Sequence, residues 1–135
     1  MRSASIGTGI LALVAVVPAD TDDDVTATVD KIANLRIFPD DDGRMNRSLI
    51  DIAGEVLVVS QFTLAGAIRR GRRPSFSGAA APAIAEPMVE EVASHFAALG
   101  LGVATGAFGA MMDVALVNDG PVTFVVDTAH GSVID

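Results

Sequence analysis

Cysteine, tryptophan and tyrosine are all absent, and histidine occurs only at His95 and His130. Without cysteine there is no disulfide framework, no thiol nucleophile and no thiolate zinc site. Two histidines cannot supply a three-histidine metal site. No phosphate-binding P-loop or dinucleotide fingerprint is present; the fragments at Gly7 and Thr105 are too short to count. The apolar run from Ile10 to Val17 falls short of the roughly 20 residues that a membrane helix needs. Arg2 ahead of that run suggests a secretion signal, but Pro18 stands where small cleavage-site residues belong. Bounded by Gly9 and Pro18, the run reads as a buried strand instead. Basic residues are also scarce: 9 Lys and Arg face 17 Asp and Glu, a net charge of −8. That balance argues against bulk nucleic-acid binding, so DNA is not an expected partner, and neither is a membrane. The cysteine-free composition fits a cytoplasmic protein.

What is present suits one domain. The chain has 135 residues, half of them hydrophobic, enough for a real core. Thr21 or Asp22 can cap a helix whose first turn is acidic, and Val25, Val29, Ile32 and Ala33 then recur at helical spacing. Leu35–Phe38 reads as a short strand and Pro39–Gly43 as a turn. Glu55–Leu64 is the strongest strand, nearly continuous in apolar residues as a doubly buried strand should be. Pro82 suits the first position of a second helix, but Pro87 predicts that the regular part starts near Glu86. Met88, Val92, His95, Phe96 and Leu99 fall near one face, and Gly100 stops the helix. Val103–Thr105, Met111–Val117 and Val122–Asp127 read as three further strands. The tail from Thr128 is expected to fray. The fold class is therefore mixed α and β in a single domain.

The chemistry-bearing residues are few. His95 sits on the apolar helix face and His130 in the tail, so a Ser–His–Asp triad has no base to use. Glu90 and Glu91 are adjacent on a helix and point apart. Four of the basic residues, Arg69, Arg70, Arg72 and Arg73, crowd one loop. Such a cluster is either a solvated loop or a clamp for phosphate, whose oxygens match guanidinium forks. The stretch from Val117 to Phe124 reads, by itself, as a turn, with Pro121 placed where a following strand would start.

Taken together, three segments point further: SQFTL (Ser60–Leu64), GRRPSF (Gly71–Phe76) and NDGPVTF (Asn118–Phe124). In this order and spacing they resemble the D-aminoacyl-tRNA deacylase family of bacteria and eukaryotes. The likeness runs from Ile6 to Asp127, through IGTGILALVAV, NLRIF and TGAFGAMM. It implies a single deacylase-like domain over residues 1–127, with two helices and a mixed sheet forming a barrel-like core. It implies a homodimer that needs no metal or cofactor and acts on the acceptor end of tRNA. There it would hydrolyse the ester of D-aminoacyl-tRNA, and of glycine mischarged on the alanine tRNA, as chiral proofreading that spares L-amino acids. Ser60, Gln61, Phe62, Thr63 and Thr123 become the candidate catalytic residues. Backbone amides of Ser60, Gln61 and Phe62 would steady a developing oxyanion, and the 2′-hydroxyl of the RNA would assist attack. Thr63 and Thr123 carry hydroxyls, yet neither has an evident base to activate it. Phe108, Gly109, Ala110 and Met112 would hold adenine. Gly120 and Pro121, joined by a cis peptide, would enter the partner's site and present two carbonyls as a wall around the substrate's α-carbon. Arg69, Arg70, Arg72 and Arg73 would touch tRNA weakly.

The sequence departs from the pattern twice. A first strand with a Gln–Arg pair is implied ahead of the position of Met1, which predicts an unpaired sheet edge. Ala65–Ile68 also replaces an alanine–aspartate–threonine-like run. The competing reading is an inactive, shortened homologue, at most a dimeric binder of tRNA ends.

Overall fold

The computed structural model describes residues 3–134. Its centre is a three-stranded parallel sheet in the order β1 (Gly9–Val14), β4 (Glu55–Ser60), β5 (Gly102–Thr105). Two helices, α1 (Asp22–Asn34) and α2 (Pro82–Ala98), pack against each other, and α2 covers β4 and β5. In β4 the side chains alternate between faces, as pleating requires. Val56 and Val58, fully buried, join the core with Val29, Ala33 and Phe96. Val59 is buried apart from that cluster, near Gly106. Burying a side chain of this kind contributes about 1.5–3 kcal/mol. Among the described residues β1 lies at one edge of the sheet.

Helix α1 follows its pattern. Its first turn holds Asp22, Asp23 and Asp24, and Val25, Val29 and Ala33 are buried at a four-residue repeat. Helix α2 differs in two respects from the sequence expectation. It begins at Pro82 and continues through Pro87, which loses one backbone hydrogen bond near the helix start and does not end the helix. Its buried stripe is Ala85, Val89, Val92 and Phe96, while Leu99 caps the end and is exposed. Gly100, with φ at +87°, turns the chain out.

Other expectations are corrected. The strand expected at Leu35–Phe38 reduces to β2 (Phe38–Pro39), because Leu35 still closes α1 by donating its N–H to the Lys31 carbonyl. β2 pairs with β3 (Met45–Arg47) across a loop that Asp40 organises, its Oδ1 accepting from the Asp42 and Arg44 amides. The strand expected to reach Leu64 ends at Ser60. The tail does not fray: β6 (Asp127–Ala129) and β7 (Ser132–Ile134) form a hairpin about His130 and Gly131, both with positive φ. It is tied to α1, with the Gly131 amide donating to Asp24 Oδ1 at 3.0 Å and Thr28 meeting Thr128 at 3.1 Å. The strands expected at Met111–Val117 and Val122–Asp127 are absent from 111 to 126. That stretch is rich in apolar residues like a strand, but among the described residues no strand lies beside it to complete a ladder. Among the described residues the sheets do not close, so the core is open rather than barrel-like. No helix there is long and apolar enough to cross a membrane.

Candidate active site

The three parallel strands end together, and their C-terminal ends carry Val14, Ser60 and Thr105. Crevices beyond the carboxyl ends of parallel strands are where open α/β sheets bind ligands. Here a cavity of about 160 Å³ opens over Val58, with Ser60, Thr105 and Phe108 on one side and Glu86 and Glu90 of α2 on the other. Neither glutamate was a candidate from sequence. They stand four residues apart, hence on one helix face, but only the packing of α2 on β4 and β5 brings that face to Ser60. Glu90 and Glu91 do point apart: Glu91 is directed to α1, where Asp22 raises its pKa by a shared hydrogen bond and like charge. His95, one turn along, has its Nδ1 buried without a partner among the described residues.

After Ser60 the chain turns sharply. The Gln61 amide donates to the Val14 carbonyl at 2.7 Å, and Phe62–Ala65 forms a single 3-10 turn. The Gln61 N–H is thereby consumed. Among the described residues the Phe62 and Thr63 amides, at the start of that turn, have no acceptor. The Gln61 side-chain amide donates to the Thr63 hydroxyl. Among the described residues no carboxylate or imidazole receives a hydrogen bond from Thr63.

The arginine loop hangs from this turn. Ala67 and Ser75 exchange two backbone hydrogen bonds, 2.7 and 2.9 Å, and close a hairpin with Gly71 at its tip. Phe76, from the same motif, meets Phe62 edge to face at 5.1 Å. The Phe76 ring also approaches Gly66 so closely that a Cβ there would come within 2.8 Å of it. Arg69, Arg70, Arg72 and Arg73 are exposed, and among the described residues the one ion pair lies elsewhere, between Arg47 and Asp41.

On the other side, the Gly106 amide donates to the Val58 carbonyl at 3.1 Å, which leads the chain from β5 across the end of β4. Phe108 packs against the core from there. Gly109, with φ at +72°, and Ala110, whose amide bonds the Ala107 carbonyl, turn the chain so that the Met112 thioether lies beside Gly106. Phe108 and Met112 thus come close to the Ser60 turn.

Gly120, Pro121 and Thr123 do not. They are exposed, they do not line the cavity, and among the described residues no hydrogen bond joins them to the Ser60 turn. The Gly120–Pro121 peptide is cis. Asn118, not a candidate from sequence, holds both ends of this turn. Its Oδ1 accepts from the Val122 amide at 2.9 Å, and its Nδ2 donates to the Thr123 hydroxyl at 2.9 Å.

The family described as D-Tyr-tRNA(Tyr) deacylase matches residues 2–127. The D-aminoacyl-tRNA deacylase of Herpetosiphon aurantiacus is 59% identical over 125 residues, covering 93% of this chain and 82% of the relative. That of Roseiflexus castenholzii is also 59% identical, covering 93% and 80%. Among solved structures, the c-Myc DNA Unwinding Element Binding Protein superposes with a TM-score of 0.85 at 35% identity, covering 92% of this chain and 85% of its own. A probable eukaryotic D-amino acid tRNA deacylase shares the fold, with a TM-score of 0.66 at 18% identity, covering 77% and 76%. On these matches, which reach across the sheet, both helices and the turn after Ser60, the chain belongs to the D-Tyr-tRNA(Tyr) deacylase family.

Proposed function

We propose that the protein hydrolyses the ester linking a D-amino acid, or glycine mischarged on the alanine tRNA, to the terminal adenosine of tRNA. Family membership across residues 2–127 carries this reading. The terminal adenosine enters the cavity over Val58, with its base against Phe108, Gly109, Ala110 and Met112. Water adds to the ester carbonyl carbon with help from the RNA 2′-hydroxyl. The carbonyl oxygen takes the negative charge, and the free Phe62 and Thr63 amides face it. A well-placed donor of this kind is worth about 3–4 kcal/mol in the transition state. The C–O bond to the ribose then breaks, the ribose oxygen takes a proton, and a free amino acid leaves. Ser60 and Gln61 shape the turn that aims those amides.

Chirality is read by the partner. In this reading the protein is a homodimer, and Gly120 and Pro121 of one protomer reach the cavity of the other. Their carbonyls accept from the substrate's amino group and leave no room for an L side chain. Two observations support such a pairing: the exposed turn does not meet its own Ser60, and the flanking Val117 and Val125 are 91% and 94% exposed. The arginine loop, tied to the Ser60 turn through Phe76 and Phe62, meets the phosphates of the acceptor end. Work in translation proofreading would place the protein in the cytoplasm.

Purified protein, tested on D-tyrosyl-tRNA and L-tyrosyl-tRNA, decides the matter. Rapid loss of the D ester with the L ester spared is expected. A D rate no higher than the blank, from folded protein, would leave only a binder of tRNA ends.

A further inference from the structure

The stretch from 111 to 126 is held by little. Among its described residues, no backbone–backbone hydrogen bond is made, and the only hydrogen bonds are the two of the Asn118 side chain. Those two span the Gly120–Pro121 turn from both sides. Oδ1 receives the Val122 N–H, and Nδ2 donates to the Thr123 Oγ1. Val122 sits close to Gly120: a Cβ at Gly120 would lie 2.7 Å from Val122 Cγ2 and 3.1 Å from the Val122 nitrogen, and Gly120 has φ at +137°. Only glycine fits there.

We infer that Asn118 is the positioning residue of the Gly120–Pro121 turn, and that Thr123 is its second anchor rather than a nucleophile. The Thr123 hydroxyl accepts a hydrogen bond from an amide N–H, a group that cannot take its proton. A nucleophile needs the opposite, a base that accepts from it. An exposed turn with no other tether must be pinned by its own side chains if its carbonyls are to act as a gauge, since displacement by about 1 Å can cost a hundredfold in rate. Asparagine is the side chain for this task, because one planar group offers an acceptor and a donor at once. Aspartate offers only acceptors, and alanine offers neither.

This inference rests on the proposed function for its kinetic consequence, but not for the clamp itself. Two readouts keep them apart. The first is the hydrogen exchange rate of the Val122 amide, which needs no substrate. Asn118→Ala should speed it about tenfold or more relative to the native chain, and Asn118→Asp, which keeps the acceptor, much less. An unchanged rate in Asn118→Ala overturns the clamp whether or not the protein is active. The second is the ratio of kcat/KM for D-tyrosyl-tRNA over L-tyrosyl-tRNA. In Asn118→Ala it should fall about tenfold or more at unchanged Tm, with Asn118→Asp and Thr123→Val each falling less. The double variant Asn118→Ala with Thr123→Val should be no worse than Asn118→Ala alone, because the two residues share one interaction. Additive losses would overturn the pairing. Abolished hydrolysis of the D ester in Thr123→Val, with tRNA binding retained, would overturn the anchor role and make Thr123 the nucleophile. If the native chain itself fails to hydrolyse D-tyrosyl-tRNA, the functional reading falls, and the exchange measurement still judges the clamp.

Discussion

Valine stands at 56 and 58 in the central strand and at 117 and 125 in the stretch beyond β5. The first pair is 0% and 1% exposed, the second 91% and 94%. The residue type is the same and both runs are rich in apolar residues. What differs is company: β4 has a strand on either side and α2 on its face, while residues 111–126 have no ladder partner among the described residues. Met111, Leu116 and Phe124 extend the contrast, at 99%, 60% and 56% exposed. Such a run of exposed large apolar residues is what the proposed dimer would cover.

Phenylalanine offers the sharpest way to break that comparison. Phe96→Ala empties a fully buried site and should cost about 3–5 kcal/mol in denaturant unfolding. Phe124→Ala should change the stability of the dissociated monomer by about 0.5 kcal/mol or less. Equal costs would mean that the exposed stretch is packed within one chain after all. Next in size, Val117→Lys with Val125→Lys should shift the protein to monomer in analytical ultracentrifugation and remove deacylation with it. A variant that remains dimeric would place the subunit contact elsewhere.

The C-terminal hairpin makes an instructive third region, since it too lies outside the core yet is held in place. Asp24 is only 4% exposed, and its carboxylate accepts from the Thr21 and Gly131 amides at 3.0 Å each. Asp24→Ala should cost about 1–2 kcal/mol and loosen the hairpin, seen as faster amide exchange over 127–134. These bonds hold the Asp24 pKa below its ordinary value, so its contribution is complete at neutral pH. It is lost as pH falls through the lowered folded-state value. The acid limb of the stability profile should therefore flatten in Asp24→Ala, and an unchanged limb would deny the linkage. Smallest of all, Arg70→Ala with Arg73→Ala should leave stability alone and lower the salt slope of tRNA binding by about 2. An unchanged slope would return the loop to plain solvated surface.

Much of this was legible in the chain itself. The Thr21 cap and the repeat of Val25, Val29 and Ala33 specify α1 by local means, and the apolar run at 55–60 specifies β4. The residues of the Ser60 turn were legible as a motif. The rest depends on contacts distant in sequence. The hairpin at 127–134 is secured by Asp24, 107 residues away, which no local pattern reports. Glu86 and Glu90 look like solvated helix charges until α2 packs on β4 and β5. At 111–126 the apolar residues suggested two strands, but a strand also needs a neighbour, and among the described residues none lies there.

Mixing two separately inactive variants tests most directly whether one protomer completes the other's site. Ser60→Tyr fills the cavity of its own chain, and Gly120→Val destroys the turn that its chain lends. Refolded together in equal amounts, they should recover about a quarter of native activity, because half the dimers are mixed and each has one intact site. No recovery from demonstrated mixed dimers would contradict the account.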